Sequence, residues 1–300
     1  MQPSCLYVVG NGFDLWHRIP SSYADFKAYV QGRDRDLLDA VDRYLPADKD
    51  WSDLESALAD VDVDSIIEDL GHFMGSYGDD DWSDAGHHDF QYEVDKVVQQ
   101  LSSGLRMRFG EWIRTLMIPT PDTASARLRT INADAAFLTF NYTSTLKALY
   151  GVPDTRVLHI HGSADAKAGE LILGHAWNPQ ERRSLNDRHD VADIDSRLVE
   201  AHEILDDYFS RTFKPAARLI RENQAFFDHL HSVDTVQVLG HSLSDVDLPY
   251  IHALLRVPGI AGARWLVASR SDRDGEAKCA RLAAIGVDVR PVSHVSWTDL

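Results

Sequence analysis

Leu6-Tyr7-Val8-Val9-Gly10-Asn11-Gly12-Phe13-Asp14-Leu15 is the stretch on which the fold turns. Four apolar residues run straight into a glycine-flanked turn, the pattern of a buried strand that enters a tight turn and opens a helix. A glycine pair at that place lets backbone N–H groups approach a pyrophosphate, and the helix dipole adds attraction. The signal is weak alone, because many strand–helix turns carry two glycines for packing. Leu15 stands where the dehydrogenase fingerprint keeps its third glycine. That fingerprint also needs a second strand ending in an acidic ribose-binding residue about 20 residues on. Here the window is Phe26–Arg35, which reads as helix. An ordinary hydride-transferring Rossmann domain is disfavoured. Asn11 and Asp14 each carry a bland reading beside the ligand one: asparagine tolerates a left-handed turn, and aspartate in a first helical turn suits the dipole.

Outward from this turn, residues 21–117 change period. Tyr23, Phe26, Tyr29 and Val30, then Leu54 and Leu58, then Phe90, Val94, Val97, Val98, Leu101 and Leu105 recur at helical spacing, with few strand signals between them. Short apolar runs at Ala135–Phe140, Arg156–Ile160, Leu171–Leu173, Thr235–Leu239, Arg264–Ala268 and Val287–Arg290 predict strands, most of them followed by a helical pattern. Residues 196–231 read as helix, broken near the middle by Pro215. The expected fold is α/β, a Rossmann-like, mostly parallel sheet with a large helical insertion after the first strand. The sheet core spans residues 1–20 and 118–300, and the inserted lobe residues 21–117. Gly75–His88 reads as an exposed loop whose Asp79-Asp80-Asp81 run is a solvated face rather than a metal site.

Composition narrows the function. Thirty basic against 47 acidic residues give a formal charge of −17 in a chain of 300. A large duplex-binding face would need a concentrated basic patch, so nucleic acid is not an expected partner. An anionic ligand would have to be held by local dipoles against the global field. Two cysteines, Cys5 and Cys279, cannot form a four-thiolate zinc site and suit a reducing compartment. No apolar run approaches the roughly 20 residues of a membrane helix. No basic n-region precedes Leu6–Val9. The expected setting is cytoplasmic, with no membrane partner and no metal. His87-His88-Asp89 is suggestive in composition, but adjacent loop histidines seldom share one metal with good geometry.

Three polar loops follow strands. Thr139-Phe140-Asn141-Tyr142-Thr143 ends one, and His159-Ile160-His161-Gly162 ends the next. Gly240-His241-Ser242-Leu243-Ser244-Asp245 follows a third. In a parallel sheet all of them leave the carboxyl edge, where ligands bind, together with the turn after Gly12. Of His159 and His161, at most one should reach the crevice, and Gly162 beside it favours His161.

At these residues the sequence resembles the bacteriophage abortive-infection AbiH family and, more distantly, the sirtuin-like NAD-binding fold. The resemblance rests on residues 6–15, on Ile19-Pro20 through Ser22-Tyr23 to Phe26, and on Trp51-Ser52-Asp53-Leu54-Glu55. It continues through Thr139–Thr143, Ile160-His161-Gly162 and Leu239–Asp247, and so covers most of the chain. It implies that Asn141 and His161 occupy the places of a catalytic asparagine and histidine. It also implies a nucleotide-binding set of Gly10, Asn11, Gly12, Phe13, Asp14, Thr139, Gly240, Ser242 and Asp247, with NAD as substrate. Thr143 departs from the acidic residue usual after the T-x-N-x motif, and the cysteines of the deacetylase zinc ribbon are absent.

The chemistry implied is cleavage of the nicotinamide–ribose bond. Nicotinamide leaves neutral from a cationic pyridinium, so no general acid is needed; a positioned water and stabilisation of an oxocarbenium-like centre are. Asn141 would orient the water or ribose hydroxyls, and His161 would accept a proton. A non-catalytic NAD or ADP-ribose sensor is the alternative. A remoter one is a serine hydrolase with Ser242 in an elbow-like turn, followed by Asp272 or Asp288 and His294. A defence hydrolase also implies restraint before a phage-derived trigger, by self-assembly or by the helical lobe.

Overall fold

A computed structural model of the protein describes residues 2–75, 88–165, 171–287 and 292–300. Six strands form one all-parallel sheet: β1 Cys5–Val9, β2 Ala136–Thr139, β3 Val157–His159, β4 Thr235–Leu239, β5 Arg264–Ser269 and β6 Val292–Ser296. Their spatial order is β3-β2-β1-β4-β5-β6, so the winding reverses between β1 and β4. That reversal opens a crevice outside the carboxyl ends of the strands, the usual ligand position of a doubly wound sheet. The register sets Thr139 and Leu239 level with Val9, and His159 level with Thr139. The loop residues that follow therefore emerge side by side.

The helices are α1 Asn11–Trp16, α2 Tyr23–Gln31, α3 Arg35–Tyr44, α4 Leu54–Ala57, α5 Val63–Leu70, α6 Asp89–Gln99 and α7 Leu105–Thr115. They continue with α8 Thr145–Tyr150, α9 Ser196–Arg211, α10 Ala216–Glu222, α11 Gln224–Asp228, α12 Leu248–Leu255 and α13 Asp272–Ala284. Capping chemistry sets several starts: Asp34, Asp62, Asp195 and Ser271 each accept from a backbone N–H of the first turn. Pro215 separates α9 from α10, as its missing N–H requires. Among the described residues no helix is long and apolar enough to cross a membrane.

The chain divides into two compact units. One comprises residues 1–22, 110–172 and 215–300, and the other residues 23–109 and 173–214. In the first, the sheet is buried on both faces. Leu6 and Val8 join Leu138, Val236, Trp265 and Tyr250 on one side, while Tyr7 and Val9 join Phe13, Phe137 and Trp297 on the other. The second unit is helical. It takes in residues 173–214, which the sequence pattern alone assigns to the sheet core. The reason is packing: α9 lies against α6, Tyr208 donates to the Leu58 carbonyl at 3.0 Å, and buried Lys214 pairs with Glu55 at 2.6 Å.

Two expected strands differ. Leu171–Leu173 is not in the sheet; it buries Leu171 and Leu173, and the Ile172 N–H donates to the His161 carbonyl at 2.9 Å. The last strand is Val292–Ser296 rather than Val287–Arg290; Val287 precedes it outside any strand, and residues 288–290 lie outside the described residues. Most of the Gly75–His88 stretch, including Asp79–Asp81 and His87, also lies outside them.

Candidate active site

The site is built on the sheet unit, and its floor is the contact between the β1 and β4 turns. The Gly10 N–H donates to the Leu239 carbonyl at 3.0 Å, and the Gly12 N–H to the Gly240 carbonyl at 2.9 Å. A Cβ on Gly10 would stand 2.6 Å from the His241 Cα, and one on Gly12 2.8 Å from the Gly240 Cα. A Cβ on Gly240, at φ +69°, would stand 2.1 Å from the Phe13 nitrogen. Packing of turn on turn thus accounts for all three glycines. Phe13 is buried in the apolar layer beneath. Asn11 is exposed, and its amide is joined to Ser21, donating to the carbonyl at 2.8 Å and accepting from the hydroxyl at 2.6 Å.

Beside this floor lies a buried carboxylate. Asp14 is 1% exposed, and its Oδ2 accepts from the Thr143 hydroxyl at 2.6 Å. Thr143 and Thr145 hydroxyls are in turn 3.1 Å apart. Burial raises the Asp14 pKa to about 6, against the opposing pull of Thr143, Thr145 and the Asn141 amide. Asn141 follows β2 and is held by its backbone. Its N–H donates to Thr139 Oγ1 at 3.1 Å, and its carbonyl accepts from His159 Nδ1 at 2.9 Å. The side-chain amide is spent on neither: its nitrogen and oxygen are both buried and make no hydrogen bond. It is close enough to favour ionised Asp14 while lying outside hydrogen-bond geometry.

A second carboxylate, Asp247, lies between two histidines. His161 Nε2 is 3.8 Å from Asp247 Oδ1, and His241 Nε2 is 3.4 Å from Oδ2. Ser244 Oγ donates to the same Oδ2 at 3.3 Å. His241 Nδ1 accepts from the Leu243 N–H at 2.9 Å, a bond that braces the turn where Leu243 takes φ +59°. Phe140 and Tyr250 wall the cluster, with the Phe140 ring 4.2 Å from that of His241 and the Tyr250 ring 5.3 Å from that of His161.

The structure therefore sets Asn141 beside Asp14, and His161 beside Asp247, at the ends of β1 to β4. His159 and His161 are both engaged near the Asn141 loop, one by a backbone bond and one through Asp247. Thr139 lends its hydroxyl to the Asn141 backbone. His241, Thr143, Thr145 and Tyr250 complete the cluster, and only their position relative to other strands reveals them as site residues. Ser242 is exposed, but a hydrolase triad is not assembled around it. His294 lies on β6, two strands from β4, with its ring against Gly275 of α13; Asp272 is exposed at the start of that helix, and Asp288 lies outside the described residues. Among the described residues no group of three or more His, Cys, Asp and Glu could hold a metal ion.

The model of the family described as bacteriophage abortive infection AbiH matches residues 6–269. That span covers most of the chain, including every residue of the cluster, so the protein belongs to this family and the match supports a role in abortive infection. Neither a curated protein nor a solved structure matches the chain.

Proposed function

We propose that this member of the bacteriophage abortive-infection AbiH family acts in phage defence by hydrolysing NAD to nicotinamide and ADP-ribose. The observation that carries the reading is the Asn141 amide, buried beside the switch point of the sheet with neither polar atom hydrogen-bonded. Leaving a buried donor or acceptor unsatisfied costs about 1–3 kcal/mol, so such a group invites a ligand that completes it. An amide offers one acceptor and two donors, which suits the hydroxyls of a ribose or an attacking water.

The charge of the site fits the bond to be broken. Asp14 and Asp247 supply negative charge where the substrate carries a pyridinium and the transition state gains oxocarbenium character. In this reading water attacks the ribose C1′, and the C1′–N bond breaks with its electron pair leaving on nicotinamide. The water proton passes to His161 and then to solvent. Asn141 orients the water or the ribose. The adenosine end lies along the β4 turn, where Ser242 is exposed. The glycine turn contributes its shape more than its N–H groups, because those of Gly10 and Gly12 are bonded to β4-side carbonyls.

Nicotinamide release from NAD by the purified protein, beside Asn141→Ala and His161→Ala, tests this. Release by the wild type and its loss in both variants is the expected result. No release, with thermal stabilisation by NAD, would make the protein a binder and overturn the hydrolase; full activity in either variant would overturn that residue's role.

A further inference from the structure

We infer that Asp14 and Asn141 together bind the substrate through a ribose hydroxyl, which donates to the free Asp14 oxygen and accepts from the Asn141 amide. That the sugar is the nicotinamide ribose rests on the NAD-hydrolase reading, whereas the hydroxyl chemistry rests on the donors and acceptors of these two side chains.

Thr143 has one hydroxyl hydrogen and gives it to Asp14 Oδ2 at 2.6 Å. Thr145 Oγ1 lies 3.1 Å from Thr143 Oγ1, and with the Thr143 hydrogen committed, Thr145 is the donor across that contact. Both hydroxyl hydrogens are then in use, and Asp14 Oδ1 stays buried without a hydrogen bond. The groups that act on the Asp14 carboxyl are Thr143, Thr145 and the Asn141 amide, with no charged side chain among them. The amide brings an acceptor, Oδ1, and a donor with two hydrogens, Nδ2, both buried and unbonded. Its backbone is fixed by Thr139 and His159, so the side chain projects from a tethered loop. Asp14 is 1% exposed and Asn141 7%.

Those three atoms define the ligand. Were Nδ2 to close on Asp14 Oδ1, the Asn141 oxygen would still need a donor from outside, and the second Nδ2 hydrogen an acceptor. An ammonium group only donates and leaves Nδ2 unpaired. A phosphate brings acceptors and negative charge against a buried carboxylate. A hydroxyl both donates and accepts. A vicinal diol serves all three atoms, one hydroxyl between Asp14 Oδ1 and Nδ2 and its neighbour on the Asn141 oxygen. Asp14 thus contacts sugar, not the pyrophosphate that the glycine turn beside it suggests by sequence. In hydrolysis its charge reaches the ring through that hydroxyl as oxocarbenium character develops.

Calorimetry with the full chain tests this at about pH 7.5, above the value of about 6 to which burial raises Asp14. The probe is NAD with a methylene in place of the ring oxygen of its nicotinamide ribose, which binds without being cleaved. It is compared with the same compound lacking the 2′- or the 3′-hydroxyl of that ring. The wild type should bind the parent roughly 10- to 100-fold tighter than at least one deoxy form, the range for a hydrogen bond to a charged group. Asp14→Asn keeps the shape of the side chain and should bring that ratio to within about threefold, as should Asn141→Ala. The double variant should go no further, because the two residues share one hydroxyl. A wild type that binds all three compounds alike would overturn the inference. So would a ratio unchanged in Asp14→Asn, and a fall in kcat beside it would assign the carboxylate to the attacking water instead. Should Asp14→Asn not fold, the wild-type ratio and its loss in Asn141→Ala decide. Nicotinamide release from NAD separates the two readings. Release without the expected ratios leaves the hydrolase and removes the inference, and the expected ratios without release do the reverse. A wild type that binds none of the compounds removes both.

Discussion

The β1 and β4 turns and the β2 and β3 loops leave the same edge of one sheet, yet they use their polar groups in opposite ways. At β1 and β4 the backbones close on each other, with glycines where any Cβ would collide and N–H groups donated to neighbouring carbonyls. At β2 and β3 the backbones are also tied down, but the Asn141 amide is left over. A glycine turn at a strand end is thus evidence of close approach before it is evidence of phosphate; what approaches here is another turn. The unspent side chain is the better pointer to a ligand.

The largest effect should come from breaking the closed half. Gly240→Ala meets both a left-handed φ of +69° and a contact of 2.1 Å with the Phe13 nitrogen. A loss of about 4 kcal/mol or more is expected, enough to unfold a marginal domain. Urea unfolding measures it, and a loss below about 1 kcal/mol would show slack between the turns. The open half should behave conversely. Asn141→Ala removes no hydrogen bond made by the side chain, so its melting temperature should stay near that of the wild type. Nicotinamide release should nevertheless fall by about 10²–10³, the scale of losing one preorganised polar group. A melting temperature that falls as much as in Gly240→Ala would make Asn141 part of the scaffold and erase the contrast.

Asp14 sits where the halves meet, and pH should expose it. Its folded-state pKa is raised to about 6 by burial. A raised carboxylate favours the folded state below its unfolded value, and that advantage is lost as pH climbs through the folded one. Asp14→Asn should therefore stabilise the protein at pH 7 by on the order of 2 kcal/mol, with the gain fading as pH falls from about 6 to 4. Denaturation at pH 4 and pH 7 checks the sign; equal effects at both would show that Asp14 titrates normally. Lost activity in the stabilised variant would mark a carboxylate kept for function at a cost in stability.

How much of this the sequence discloses depends on range. β1, β2, β4 and β5 fall within a residue or two of their apolar runs, since strands buried on both faces must be apolar throughout. β6 leaves no such run, because Val292-Ser293-His294-Val295-Ser296 carries polar residues and its pairing with β5 comes from elsewhere in the chain. Leu171–Leu173 has strand composition but only core packing to satisfy. In the site, Asn141 and His161 are legible as polar residues after strands. Thr143 reads locally as a departure from an acidic motif, whereas its hydroxyl serves Asp14, 129 residues away. The assignment of 173–214 to the helical unit is equally non-local. An amphipathic face such as that of α9 shows that a partner exists and not that the partner is α6.

The smallest effect should come from Asn11, and it tests whether the closed half has any ligand role. The side chain is exposed, yet both its amide atoms are engaged by Ser21, at 2.8 and 2.6 Å. Asn11→Ala removes those bonds where water can replace them, so the stability loss should be about 1 kcal/mol or less. If the first turn only supports the floor, KM for NAD should stay within about threefold of the wild type, since no interaction with substrate has been removed. A tenfold rise in KM at unchanged kcat would instead show uniform binding by Asn11, and would place the substrate against the turn that the backbone contacts keep closed.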